Sequence, residues 1–302
     1  MAAVDLVSCS PTAVPQAPAD VTTYQVYFLG GQSNMEGFGD ISDLPAHLQV
    51  SQEKVPIFHG KSVRDGETGG GTGYWSTLRP GHGVGFDVDT QKAANRYSVR
   101  FGPELSFGAA MVDAGERVAI IKFARGGIAL KDGVALAGSW DPDYAAGNRR
   151  NQFDNALAAI EGAMSPQDID GDGRQDRLVP AGIVWMQGEA DAYDDPDAAA
   201  NYARNLARLM RLLRAKLGNP DIPVVIGRIK DSGEAKGDFT MRYSRLVQEQ
   251  QAAFVARDRC AALVGVTRDF GFIEDGWHYR SEDYVALGNA FAESMRRLQS
   301  RC

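Results

Sequence analysis

Residues 24–37 read Tyr-Gln-Val-Tyr-Phe-Leu-Gly-Gly-Gln-Ser-Asn-Met-Glu-Gly. Val26, Tyr27, Phe28 and Leu29 form an unbroken apolar run of the kind that fills a strand buried on both faces. Gly30 and Gly31 break it, and Gln32, Ser33 and Asn34 follow at once. A serine delivered by a strand, among glycines that permit a tight turn, has its hydroxyl held at a sheet edge, where a nucleophile is useful. An ordinary strand-to-loop turn has the same composition. The role of Ser33 therefore depends on what else the chain brings to that edge.

The pattern recurs. Arg117–Ala124 reads as a second strand and runs into Arg125-Gly126-Gly127; Ala181–Gln187 reads as a third and runs into Gly188-Glu189. Ile222–Ile229 and Ala261–Thr267 are further strands. Between them, apolar residues at helical spacing predict helices over 103–114, 151–164, 197–217, 241–256 and 282–299. Nearly continuous apolar strands alternating with helices predict an α/β fold: a three-layer α/β/α sandwich around a mostly parallel, doubly wound sheet. Ligands of such sheets bind beyond the carboxyl ends of the strands, which puts Ser33, Gly126, Gly127 and Gln187 on one rim. Residues 23–302 read as one domain behind a flexible leader, 1–22. Residues 37–100, rich in Gly and polar side chains, read as a long irregular insertion that builds a binding surface; the loops near Tyr144 and Tyr193 are further candidates for that surface.

With 302 residues, 44% of them hydrophobic and 24% charged, the composition is that of an ordinary globular protein. The net charge of −7 argues against nucleic acid or an anionic membrane as the main partner. No apolar run approaches the roughly 20 residues of a membrane helix. Of the three cysteines, Cys260 and Cys302 flank the last strand and helix and are candidates for a bridge, which leaves Cys9 over.

A serine needs a base before it attacks an ester. There are four histidines: His47, His59, His82 and His278. Only His278 follows an aspartate, Asp275, by three residues in a segment between the last strand and the last helix. In a turn, that spacing brings a carboxylate to the imidazole Nδ1 and leaves Nε2 free to take the serine proton.

Gly31-Gln-Ser-Asn-Met35, the glycine pair after the next core strand, Trp185-Met-Gln-Gly-Glu189 and Asp275-Gly-Trp-His278 occur in that order. Together they resemble the SGNH-hydrolase superfamily, in its carbohydrate esterase family 6 or sialic-acid-specific acetylesterase-like branch, over about residues 24–298. The resemblance implies a flavodoxin-like sandwich and a serine esterase that removes O-acetyl groups from carbohydrate, acetylxylan or O-acetylated sialic acid, through an acetyl-enzyme and without a catalytic cofactor. It implies Ser33 as nucleophile, His278 as base and then acid, and Asp275 as its partner, with Glu189 the alternative acid. The oxyanion hole would be the Ser33 N–H, an N–H at Gly126 or Gly127, and the Gln187 side chain. Gln32, Asn34, Arg125 and Trp277 are candidate substrate contacts, and Arg125 is also a candidate partner for Glu189. A general short-chain carboxylesterase or thioesterase, or a non-catalytic carbohydrate-binding protein on the same fold, are the alternatives.

One motif stands apart. Asp168, Asp170, Asp172 and Asp176 occupy positions 1, 3, 5 and 9 of a loop with Gly173 at position 6, as in the first part of a calcium loop. Val179 stands at position 12, where an EF-hand carries its bidentate acid. The expectation is a structural calcium before the third strand. The loop and the candidate bridge lean toward a secreted or periplasmic protein; free thiols would suit the cytoplasm.

Overall fold

The computed structural model describes residues 21–145, 147 and 149–302; Cys9 and most of the expected leader lie outside them. The central sheet consists of β1 (Thr23–Gly31), β2 (Gln52–His59), β3 (Trp75–Leu78), β4 (Val118–Ala124), β5 (Arg177–Met186), β6 (Val224–Gly227) and β7 (Ala261–Val264), in the spatial order β7-β6-β5-β1-β4-β2-β3. All neighbours are parallel except β2 and β3. β1 lies in the middle and is buried from Val26 onward, so its residues meet a covering layer on both faces.

The helices are α1 (Ser33–Glu36), α2 (Glu104–Asp113), α3 (Gln152–Met164), α4 (Glu189–Ala192), α5 (Pro196–Lys216), α6 (Ser244–Arg257) and α7 (Ser281–Gln299). α2 and α7 pack together on one face of the sheet, where Tyr27 meets Phe107 edge-on at 5.3 Å. α3, α5 and α6 form the other layer. The sequence starts these helices in recognisable ways. Asn151 caps α3 by accepting from the Asp154 N–H at 2.9 Å. Asp195 caps α5 by accepting from Asp197 and Ala198, with Pro196 at the first position. The α/β/α sandwich and its parallel sheet are those expected.

The insertion differs from the expectation. Residues 37–100 are not irregular throughout: β2 pairs in parallel with β4, and Val55, Ile57 and Phe58 are buried in the core. Glu53, Lys54 and Pro56 dilute the apolar signal of this strand. The proline is accommodated because pairing with β3 slips in register between Gln52 and Pro56, a bulge where a missing N–H costs little. Two short ribbons, Gly39–Asp40 with Arg100–Phe101 and Asp87–Asp89 with Ala94–Arg96, order part of the remainder.

Lys122, fully buried on β4, donates to the Glu36 carbonyl at 2.8 Å, the His82 carbonyl at 2.9 Å and Glu104 Oε2 at 2.6 Å. Burial pushes this ammonium below the usual lysine range, and Glu104 beside it opposes the shift. All three ammonium hydrogens have acceptors, so the charge is satisfied while it fixes the end of α1 to the sheet. Cys260 and Cys302 form a disulfide with Cα atoms 5.8 Å apart, tying the start of β7 to the residues after α7. Among the described residues no helix is long and apolar enough to cross a membrane.

Candidate active site

β1 delivers Ser33 through a backbone that only glycine tolerates. Gly31 has φ +151°, and a Cβ there would lie 1.9 Å from the Met186 carbonyl oxygen. The chain therefore presses against the end of β5 before turning into α1, whose first residue is Ser33. The Gln32 N–H donates to Met186 at 2.9 Å and holds that junction.

His278 arrives from the segment between β7 and α7. Asp275 Oδ1 accepts from the Trp277 and His278 N–H groups at 2.8 and 3.0 Å, and Oδ2 lies 2.6 Å from His278 Nδ1. One carboxylate thus shapes the turn and fixes the ring. Partial burial would raise the Asp275 pKa, but hydrogen bonds from the ring and from both N–H groups outweigh it and hold the carboxyl below the usual range. Phe38 stacks on the imidazole with centroids 3.5 Å apart and planes 6° from parallel. Ser33 and His278 line one cavity of about 560 Å³, together with Gln32, Gly126, Gly127, Tyr193 and Trp277. No hydrogen bond joins the two side chains here, a common state before substrate fills a site.

The geometry corrects the expected Gln187 donor and separates the two glycines that stood as alternatives. Gly126 is beside Ser33, but its N–H donates to Glu36 Oε2 at 2.6 Å. Gln187 is fully buried, and its Nε2 donates to Asp191 Oδ2 at 2.6 Å and to the Ile128 carbonyl at 3.2 Å. Its Oε1 accepts from Tyr202 at 3.1 Å. With both amide hydrogens engaged, Gln187 fastens the end of β5 to the 128–131 loop rather than facing the cavity. Burial pushes the Asp191 carboxyl up to about 6, against hydrogen bonds from Leu130, Gln187 and Lys131. The N–H groups of Ser33 and Gly127 have no protein acceptor among the described residues, and Gly127 holds a left-handed φ of +69°.

Other expected contacts separate in the same way. Asn34 is buried: its Nδ2 donates to Glu189 Oε1 at 2.7 Å and to the Trp277 carbonyl at 3.2 Å, and its Oδ1 accepts from Tyr284 at 2.8 Å. It braces α1 against α4, α7 and the histidine segment, so it is no substrate contact. Glu189 holds Asn34 and not His278; burial raises its pKa. Arg125 pairs with Glu36 at 3.2 Å, not with Glu189. Gln32 Oε1 accepts from the Ala190 N–H at 3.2 Å while the side chain lines the cavity. Trp277 lines the cavity too, 5.5 Å from the exposed Tyr193. Tyr144 is buried and bonds Asp65 instead. The Asp168–Asp176 loop lies at the far end of the sheet, where Thr23 pairs with Arg177.

Sequence reasoning missed Glu36 and Phe38. The available signal for Glu36 was its place three residues after Ser33, on the same side of one helical turn. Replacing Glu36 with alanine is expected to lower kcat for ester hydrolysis about 10- to 100-fold with a smaller change in KM. It strands the Gly126 N–H and frees Arg125, a loss of roughly 1–3 kcal/mol of local order. Steady-state kinetics on a folded variant checks this, and an unchanged kcat would remove Glu36 from the site.

A family model described as carbohydrate esterase, sialic acid-specific acetylesterase, matches residues 23–297. A protein of Arabidopsis thaliana described as a "Probable carbohydrate esterase" is 23% identical over 286 residues, covering 93% of each chain. Its solved structure superposes with a TM-score of 0.64 at 19% identity, over 93% of this chain and 100% of that one. A carbohydrate acetylesterase from Xanthomonas citri gives 0.62 at 18% identity, over 91% of this chain and 56% of that one. The structure named NanS gives 0.58 at 13% identity, over 94% and 100%. At these identities the structures speak for the fold.

Proposed function

We propose a mechanism and a substrate for a chain that belongs to the carbohydrate esterase family of sialic acid-specific acetylesterases: Ser33 removes O-acetyl groups from carbohydrate through an acetyl-enzyme. His278 Nε2 takes the Ser33 proton as Oγ bonds to the acetyl carbon. The tetrahedral oxyanion is held by the Ser33 and Gly127 N–H groups, with the Gln32 amide as side-chain donor in place of Gln187. Collapse breaks the carbon–oxygen bond to the sugar, and His278 returns the proton to the leaving hydroxyl. Water, deprotonated by His278, then releases acetate and restores the serine.

The observation that carries this reading is the convergence of Ser33 and His278 on one cavity, with Asp275 held against His278 Nδ1. Exposed Tyr193 beside Trp277 offers an aromatic platform for a sugar ring. A neighbouring polar cavity of about 310 Å³ is lined by Lys61, Arg125 and Arg150, and Arg125 directly precedes Gly126 of the Ser33 cavity. Arg150 Nε is buried there without a hydrogen-bond partner. Glu36 and Asp87 line the same cavity and pair with Arg125 and Lys61 at 3.2 and 3.3 Å, which leaves Arg150 as the charge that supports an acidic sugar over neutral xylan. Acetate release from O-acetylated sialic acid and from acetylxylan tests the choice. The expected kcat/KM is at least about tenfold higher on the acidic sugar, a margin one charged hydrogen bond supplies. The reverse order would assign xylan.

A second reading, a general short-chain carboxylesterase, draws on the apolar wall Val134–Ala137. Equal rates on p-nitrophenyl acetate and butyrate would favour it. The Cys260–Cys302 bridge supports a secreted or periplasmic setting, where disulfides persist.

A further inference from the structure

The acidic loop at the opposite end of the sheet plays no part in this chemistry. One carboxylate oxygen each of Asp168, Asp170 and Asp176 lies within 4.8 Å of the others. Among the described residues no lysine or arginine pairs with any of them, or with Asp172; the Gly171 and Gly173 N–H groups meet Asp168 at 2.6 and 2.8 Å, so the loop gathers its acids without a side-chain cation.

A second observation comes from the buried member. Asp176 is only 6% exposed. Its Oδ2 accepts from the Ile169 N–H at 2.8 Å, but its Oδ1 is buried with no hydrogen-bond partner. A buried, unpaired carboxylate oxygen among like charges is costly unless a cation meets it. We propose that Asp168, Asp170 and Asp176 bind one calcium ion. Carboxylate oxygens in a flexible loop suit calcium, whereas magnesium demands a near-ideal octahedron and keeps its water. Asp172 stands outside the group of three, a correction to the four-acid expectation; its Oδ1 accepts from the Arg174 N–H at 2.8 Å.

The ion would be structural. The loop leads into β5 at Arg177, and the Tyr24 hydroxyl on β1 donates to Asp170 Oδ2 at 2.9 Å, so the site clamps the two central strands at their starts. Ser33 follows their other ends, about 26 Å away at the usual rise per strand residue.

Tyr24 also provides the probe. Full-length protein stripped with a chelator is titrated with terbium, exciting tyrosine, and separately with calcium by calorimetry. The expected result is sensitised terbium emission that calcium displaces and magnesium does not. Calorimetry should give one ion per chain, with half-saturation on the order of 0.1–1 mM as in extracellular calcium modules. Saturating calcium should raise Tm by about 2–4 °C and leave kcat at 25 °C unchanged. Asp176→Asn should abolish binding; Asp168→Ala, at an exposed position where only the surface turn to Gly171 and Gly173 loses its hydrogen bonds, should weaken it at least tenfold. Absence of both terbium emission and calcium heat at 10-fold the expected half-saturation would overturn the proposal, as would unaltered binding in Asp168→Ala.

Discussion

Ser33→Ala is expected to cut kcat for acetate release by on the order of 10⁶-fold, the size of loss seen when a serine nucleophile is removed from a hydrolase that acts as a unit. The argument is chemical. On the proposed mechanism no acetyl-enzyme forms without Oγ, and the remaining oxyanion donors act only on direct attack by water. Ser33 is buried at the start of α1, and among the described residues its hydroxyl makes no hydrogen bond that holds that helix. Its loss should therefore leave Tm nearly unchanged, which separates chemistry from folding. The check is acetate release by matched preparations, together with stoichiometric labelling by a fluorophosphonate in the wild type alone. A variant that retains a tenth of wild-type activity would remove Ser33 as the nucleophile.

The second large effect belongs to the acid that orients the histidine. Asp275→Asn is expected to lower kcat about 10⁴-fold, because an amide at Oδ2 offers a donor to Nδ1 and favours the tautomer that cannot take the serine proton. The backbone bonds from Trp277 and His278 to Oδ1 can persist in the asparagine, so the turn should survive. Glu189→Gln is the control. Glu189 contacts Asn34 rather than His278, and glutamine keeps an acceptor for that bond. Its kcat should stay within about tenfold of wild type, the cost of one altered hydrogen bond. If Glu189→Gln lost 10⁴-fold while Asp275→Asn did not, the acid would be Glu189 and the ring would have to turn on substrate binding.

The parts of the site legible in the sequence are those made by near neighbours. Strand–glycine junctions put Ser33 and Gly127 on one rim because parallel strands end together. The Asp275–His278 contact spans three residues, so local turn geometry suffices to make it. β2 was hidden because Pro56 and two charged residues interrupt its apolar run, and only the register slip against β3 shows how the sheet tolerates them.

Side-chain direction was beyond the sequence wherever a distant group competes for it. Gln187 stands at the right strand end, yet Asp191, Ile128 and Tyr202 take its amide. Glu36, Gly126 and Asn34 were similarly fixed by partners from other elements, 90 and 155 residues away in the Gly126–Glu36 and Asn34–Glu189 contacts. By itself the sequence determined the α/β/α sandwich, the serine at its central strand end and the histidine–aspartate turn, because strand periodicity, glycine breaks and short-range spacing are local properties. Which amides remain free at that rim was decided only by the tertiary structure, because a buried hydrogen-bonding group is claimed by whichever long-range partner the packing brings within reach.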